Sequence, residues 1–267
     1  MQTGKMLAAV RAQKPLVYHI TNTVTISDCA NITLVCGGLP VMAPAAEEAE
    51  EMAAQAQAVV LNIGTLTKEQ VRAMLLAGRK ARELHIPVIL DPVGAGATAL
   101  RLESARRLVA EVAPDIIKGN AAEIAVLAGG KAVMRGVESV AVTGSVTDMA
   151  LSLAREAGSV VAVTGAVDVV TDGGEVVEVY NGHPLMACVV GTGCMTASLM
   201  GCFAAVERNR LQAAAAALSV FNLAAEEAAR QAQAPAAFKA ALFDALYGLD
   251  PAVAEERQKI TRKVSGK

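Results

Sequence analysis

Pro87-Val88-Ile89-Leu90-Asp91-Pro92-Val93-Gly94-Ala95-Gly96-Ala97-Thr98 is the stretch on which the fold of this 267-residue chain turns. A short β-branched apolar run reads as a buried strand over Pro87–Leu90, with no polar alternation to suggest a solvated face. Asp91 closes the run, and two glycines separated by one alanine make the following loop flexible. Thr98 then stands where a helix N-cap belongs, ahead of helical spacing over Thr98–Val112. Strand, polar loop and helix in that order form the unit from which parallel sheets are built.

The same unit recurs on both sides. Leu16–Ile20, Ala58–Ile63, Asp115–Lys118 and Val160–Val163 are further buried-strand candidates, and Thr67–Leu84 and Ala121–Leu127 carry helical spacing. Asp172-Gly173-Gly174, between Val167–Thr171 and Glu175–Tyr180, predicts a hairpin. Beyond Cys194 the chain turns helical, with alanine-rich Leu211–Gln231 and then Ala236–Leu246. These patterns predict an α/β fold with a mostly parallel central sheet covered by helices on both faces. No linker or repeat divides the chain, so residues 1–267 read as a single domain.

Composition narrows the function. The net charge is −2, and three Tyr and four Phe leave no basic patch interleaved with stacking aromatics, which argues against nucleic acid. No apolar run reaches the roughly 20 residues of a membrane span, and the N-terminus lacks an apolar leader core. Five cysteines (Cys29, Cys36, Cys188, Cys194 and Cys202) include no C-x-x-C pair, and three histidines are scattered. Neither a disulfide framework nor structural zinc fits, and a cytoplasmic protein with reduced thiols is the expectation.

In open parallel sheets, ligands bind beyond the carboxyl ends of the strands. Polar or glycine-rich segments fall at those predicted ends: His19–Asn22, Asn62–Thr65, Asp91–Ala97, Lys118–Asn120, Thr164-Gly165, and Val190-Gly191-Thr192-Gly193-Cys194. The last reads as a tight turn opening a helix, where free N–H groups and the dipole favour an anion. Cys194 in the first turn is expected to have a lowered pKa; the plainer reading is a glycine turn before a buried cysteine. Asp91 reads either as a strand-ending turn residue or as a group holding hydrated Mg2+ beside phosphate-binding glycine N–H groups. Asn120 and Glu123, three apart at a helix start, read either as a cap or as part of a magnesium–water network shared with Asp91. Lys118 is placed to meet a phosphate as a point charge. Neither G-x-x-x-x-G-K-[ST] nor G-x-G-x-x-G occurs, which disfavours a P-loop nucleotidase or a dinucleotide enzyme.

Together, several segments resemble the hydroxyethylthiazole kinases. They are His19-Ile20-Thr21-Asn22-Thr23-Val24-Thr25 with Asp28-Cys29-Ala30-Asn31, Pro40-Val41-Met42-Ala43 with Glu47-Glu48, and Leu61-Asn62-Ile63-Gly64-Thr65. Asp91–Thr98, Lys118–Ile124, Asn181-Gly182-His183 and Gly191–Cys194 continue the pattern in family order. The resemblance implies a ribokinase-like three-layer α/β/α fold and ATP-dependent phosphorylation of 4-methyl-5-(2-hydroxyethyl)thiazole in thiamine salvage. It implies substrate contacts at Met42 and Gly191 and nucleotide contacts at Lys118 and Thr164; the strand-end residues add Asn22 on the substrate side, Asn120 on the nucleotide side and Mg2+ at Asp91 and Glu123. With the residues, the resemblance makes Gly191, Gly193 and Cys194 the expected catalytic segment, the last standing where related kinases have an aspartate base. Lys118 replaces a frequent arginine, which keeps the charge and loses the bidentate fork. The family also implies a homotrimer with sites between subunits. The rival readings are a kinase for hydroxymethylpyrimidine or a pyridoxal-type alcohol, and a non-catalytic ligand-binding homologue.

Overall fold

A computed structural model describes residues 1–130, 132–135, 138–142 and 144–264, with the backbone alone for 132–135, 138–142 and 264. The helices are α1 (Thr3–Gln13), α2 (Ile26–Cys36), α3 (Ala49–Gln55), α4 (Lys68–Glu83), α5 (Ala99–Val112), α6 (Ala121–Leu127), α7 (Val146–Ala157), α8 (Thr192–Val206), α9 (Arg210–Gln231), α10 (Pro235–Gly248) and α11 (Pro251–Arg257). The strands are β1 (Leu16–Ile20), β2 (Leu39–Met42), β3 (Ala58–Asn62), β4 (Val88–Asp91), β5 (Ile116–Asn120), β6 (Ala132–Arg135), β7 (Glu138–Val142), β8 (Val160–Thr164), β9 (Asp168–Thr171), β10 (Glu175–Val179) and β11 (Ile260–Val264).

Nine strands form one sheet in the order β11-β10-β9-β8-β5-β4-β3-β1-β2, and β6 and β7 make a separate antiparallel pair. From β2 to β8 all neighbours run parallel, whereas β9, β10 and β11 join as antiparallel strands at the other edge. The parallel strands are buried on both faces, as their unbroken apolar runs require. Successive residues alternate between two cores. Val17, Ala58, Val60, Ile116 and Ala162 face a core shared with α1, α2, α8, α9 and α10. Tyr18, Val59, Leu61, Ile117 and Val161 face a second core shared with α3 to α7. Each fully buried Leu, Ile or Phe side chain contributes about 1.5–3 kcal/mol, so these two cores are the main support of the sheet.

Several local expectations meet their counterparts. Thr67 and Thr98 accept the N–H groups of Gln70 and Arg101 and cap α4 and α5. The hairpin forms as β9–β10, with Asp172 accepting from Gly174 and Glu175 and Gly173 at φ 92°. Other bounds shift: the strands expected over Pro87–Leu90 and Asp115–Lys118 run over Val88–Asp91 and Ile116–Asn120, because Asp91 and Asn120 each continue the parallel ladder.

The sheet order reverses at β1. From β1 the chain crosses to β2 on one side and then to β3 on the other, which opens a crevice at the carboxyl ends of β1 and β3. Helix α8 lies against β1, β3 and β4 under this crevice, and every residue from Met195 to Ala204 is buried. Gly201 makes that approach feasible, since a Cβ there would stand 2.9 Å from side-chain atoms of both Val17 and Val60.

Candidate active site

Gly191 opens α8 as its N-cap with φ 95°, a left-handed conformation that L side chains rarely adopt. A Cβ at Gly191 would also meet Thr25 Cγ2 at 2.6 Å, so the turn is pressed against the start of α2. Cys194 is the third residue of α8 and its thiol accepts a hydrogen bond from Asn22 Nδ2 at 3.3 Å. Asn22 lies just beyond β1, with Oδ1 accepting the Val24 and Thr25 N–H groups and the Thr25 hydroxyl. Its Nδ2 also donates to Asn62 Oδ1 at 3.1 Å.

Asn62 is the hub. At the end of β3 its Oδ1 also accepts the Gly64 N–H at 2.9 Å, and its Nδ2 donates to Asp91 Oδ2 at 2.8 Å. The other oxygen of Asp91 faces the Lys118 ammonium at 3.4 Å. Lys118 reaches in from β5 and stands where a Cβ on Gly193 would be, 2.9 Å from that position. The chain from β1 to β5 therefore converges on the first turn of α8: Asn22, Asn62, Asp91, Lys118 and Cys194.

Burial pushes the Asp91 carboxyl up to about 7, opposed by the Lys118 charge beside it. Burial also works against the Lys118 ammonium, but the Asp91 and Glu123 carboxylates override it and hold the lysine above its ordinary value. The expected lowering of the Cys194 pKa is corrected. Desolvation and the Asp91 charge raise it, and Lys118 opposes them only in part, so the helix N-terminus does not yield a thiolate.

Asn120 and Glu123 form a reciprocal capping box on α6, the plainer of the two readings of that pair. Glu123 does more than cap, because its Oε1 accepts the Gly94 N–H at 2.8 Å while Oε2 accepts that of Asn120. Thr164 ends β8 in register with Asn120 and donates to the Gly119 carbonyl. Gly193 lies against Lys118, a contact its sequence position does not announce. Met42 ends the edge strand β2, half-buried beside His19 of β1, and the hydrogen bonds of the cluster do not extend to it.

No group of three or more His, Cys, Asp or Glu able to hold a metal ion occurs among the described residues. The donors present suit Mg2+ held through water: Glu123 binds the Gly94 N–H, Asp91 sits between Asn62 and Lys118, and carboxylate lone pairs remain beyond those used by these donors. Mg2+ keeps most of its waters and needs few protein ligands when phosphates supply the rest.

Sequence reasoning overlooked Asn62 as a site residue, although its segment falls at a strand end. Nor did it single out Thr25, whose contact with Gly191 joins two segments far apart in the chain. Both lie in segments that the family pattern includes, but neither stands out there by type, since each acquires its role from partners brought together by the sheet.

The hydroxyethylthiazole kinase family model matches residues 7–252. The chain belongs to that family. A hydroxyethylthiazole kinase from Methanosphaerula palustris is 54% identical over 97% of this chain and 98% of its own length. The solved structure of the hydroxyethylthiazole kinase from Pyrococcus horikoshii superposes with a TM-score of 0.89 at 40% identity, covering 98% of both chains. A ribokinase-like protein from Enterococcus faecalis superposes at a TM-score of 0.64 with 13% identity over 91% of this chain and 93% of its own, which extends the likeness in fold alone. The fold is ribokinase-like, and this member of the hydroxyethylthiazole kinase family is a kinase, a phosphotransferase.

Proposed function

We propose that this chain phosphorylates the primary hydroxyl of 4-methyl-5-(2-hydroxyethyl)thiazole with ATP, in the salvage branch of thiamine biosynthesis. The observation that carries the reading is the convergence of Asn22, Asn62, Asp91, Lys118 and Cys194 on the N-terminus of α8, in a chain of this family. Phosphoryl transfer asks a protein chiefly to position the reactants and balance their charge.

The N–H groups of Gly191 to Cys194 stabilise the transferring phosphoryl group, aided by the dipole of α8. Lys118, with Thr164 and Asn120, contacts the nucleotide, while Gly191, Asn22 and Met42 contact the thiazole. Asp91 and Glu123 would hold Mg2+, which when bound would neutralise phosphate charge. Cys194 stays protonated at neutral pH and orients the hydroxyl; the hydroxyl proton passes late to an oxygen of the transferred phosphoryl group, since the transition state is loose. The enzyme acts in the cytoplasm as a homotrimer, with Met42 on edge strand β2 reaching toward a neighbouring protomer's site.

ADP release with the thiazole alcohol, measured beside hydroxymethylpyrimidine and pyridoxal at equal concentrations, tests the reading. The thiazole is expected to give the highest kcat/KM. A higher value for either of the others overturns the substrate assignment, and tight binding with no turnover on any alcohol restores the non-catalytic reading.

A further inference from the structure

Arg101 is the third residue of α5, and its N–H donates to the capping Thr98 hydroxyl. A cation in the first turn opposes the helix dipole, so helix formation does not account for it. Its guanidinium reaches instead over two strand-end loops. Nη1 donates to the Ile63 carbonyl at 2.9 Å and to the Val93 carbonyl at 2.8 Å, and Nη2 donates to the Gly64 carbonyl at 2.8 Å.

Two of those carbonyls belong to peptide units whose other ends face the site. The Ile63 C=O and the Gly64 N–H share one planar peptide, and that N–H holds Asn62 Oδ1 at 2.9 Å. The Val93 C=O and the Gly94 N–H share another, and that N–H holds Glu123 Oε1 at 2.8 Å. In a trans peptide the two groups point in opposite directions, so fixing the oxygen fixes the hydrogen. One nitrogen of one guanidinium thus sets two N–H vectors on the far side of two loops.

Asn62 has little freedom once its Oδ1 is held. Its Nδ2 is then directed to Asp91, and its oxygen receives Asn22, which in turn contacts Cys194. Glu123 joins the Asp91–Gly96 loop to the cap of α6. A planar fork suits three carbonyls on two loops, and a lysine ammonium on a flexible stem lacks that fixed geometry.

We propose that Arg101 is a positioning residue for phosphoryl transfer, orienting the Asn62 amide and the Glu123 carboxylate through the Ile63–Gly64 and Val93–Gly94 peptides. The proposal rests on the kinase reading above and assigns Arg101 no contact with substrate. Supporting residues of this kind cost about 10–100-fold in activity when lost.

Steady-state kinetics of Arg101→Ala and Arg101→Lys, with thermal melts of both, test it. Both variants are expected to lose kcat by about 10–100-fold, with a much smaller change in the KM for the thiazole. Added millimolar guanidinium is expected to restore part of the kcat of Arg101→Ala and none in wild type. An unchanged kcat in folded Arg101→Ala, or a loss that guanidinium does not relieve, overturns the proposal. If Arg101→Ala fails to fold, Arg101→Lys decides, and a wild-type kcat there overturns it. Should wild type turn over no alcohol, the substrate reading fails by itself. Calorimetric binding of magnesium–ADP to the same variants then decides for Arg101, weakened affinity supporting the proposal and unchanged affinity overturning it.

Discussion

Cys194 shows how a single residue's surroundings outweigh its position. A thiol in the first turn of a helix is ordinarily acidified, yet here burial and the Asp91 carboxylate raise its pKa. A general base contributes about 10²–10⁴-fold; in the proposed role the thiol only orients the hydroxyl and is worth less, so Cys194→Ser is expected to lower kcat by under about 100-fold. Cys194→Asp is expected to retain turnover; a folded, substrate-binding Cys194→Asp variant with none would overturn the orienting role, since a carboxylate there can also hold the hydroxyl. The residues of the cluster were only partly legible in sequence. Asp91, Lys118 and the glycines stand out by type and place, and the family pattern adds Asn22. Asn62 does not, because its partners Asn22 and Asp91 lie 40 and 29 residues away and reach it only through the parallel ladder.

At the scale of the element, α8 carries the lesson. Its buried run from Met195 to Ala204 leaves no solvated face, so the helix shows little of the apolar periodicity by which surface helices are recognised. Strands of the same character were legible because short β-branched runs between glycine and proline punctuation admit few readings. The alanines of α9 have a matching explanation, since Ala213 to Ala217 are all buried in the close pairing of α9 with α8 and the sheet. Ala in a helix interior normally stabilises by about 1 kcal/mol over Gly. Gly201→Ala is expected to do the opposite and lower stability by about 1–3 kcal/mol, through overpacking against Val17 and Val60. Urea unfolding measures it, and a more stable variant would show that α8 has room to lift from the sheet.

For the molecule as a whole, the sequence carried the layers, the parallel sheet and the register of segments at one edge, because each repeats a local pattern. The order of strands is not a local property. That β1 sits between β2 and β3, and so opens the crevice, follows from how the crossovers pack. Two buried groups away from the reacting cluster give the whole fold a dependence on pH. His19, held neutral by burial, has its pKa lowered to about 4, and Asp168, also desolvated, has its own raised to about 6. The lowered histidine contributes stability above its unfolded value of 6.5, lost as pH falls toward 4. The raised carboxylate acts with the other sign: its stability is present below the unfolded value of 3.8 and lost as pH rises through 6. At about 1.4 kcal/mol per pKa unit, each contribution is on the order of 3 kcal/mol. Between pH 4 and 6.5, the stability of wild type relative to His19→Gln is expected to rise with pH, and relative to Asp168→Asn to fall. Parallel pH profiles for the two variants would refute the assignment.

The burial of α8 also bears on how such an enzyme changes over generations. A substitution anywhere from Met195 to Ala204 disturbs the packing of two layers at once, so the helix that bears Cys194 is closed to gradual drift. The open ground lies beside its N-terminal turn, where Val24 and Val190 are exposed. On the proposed reading, new preferences among small alcohols are to be sought by varying Val24 and Val190, which can change without repacking the helix.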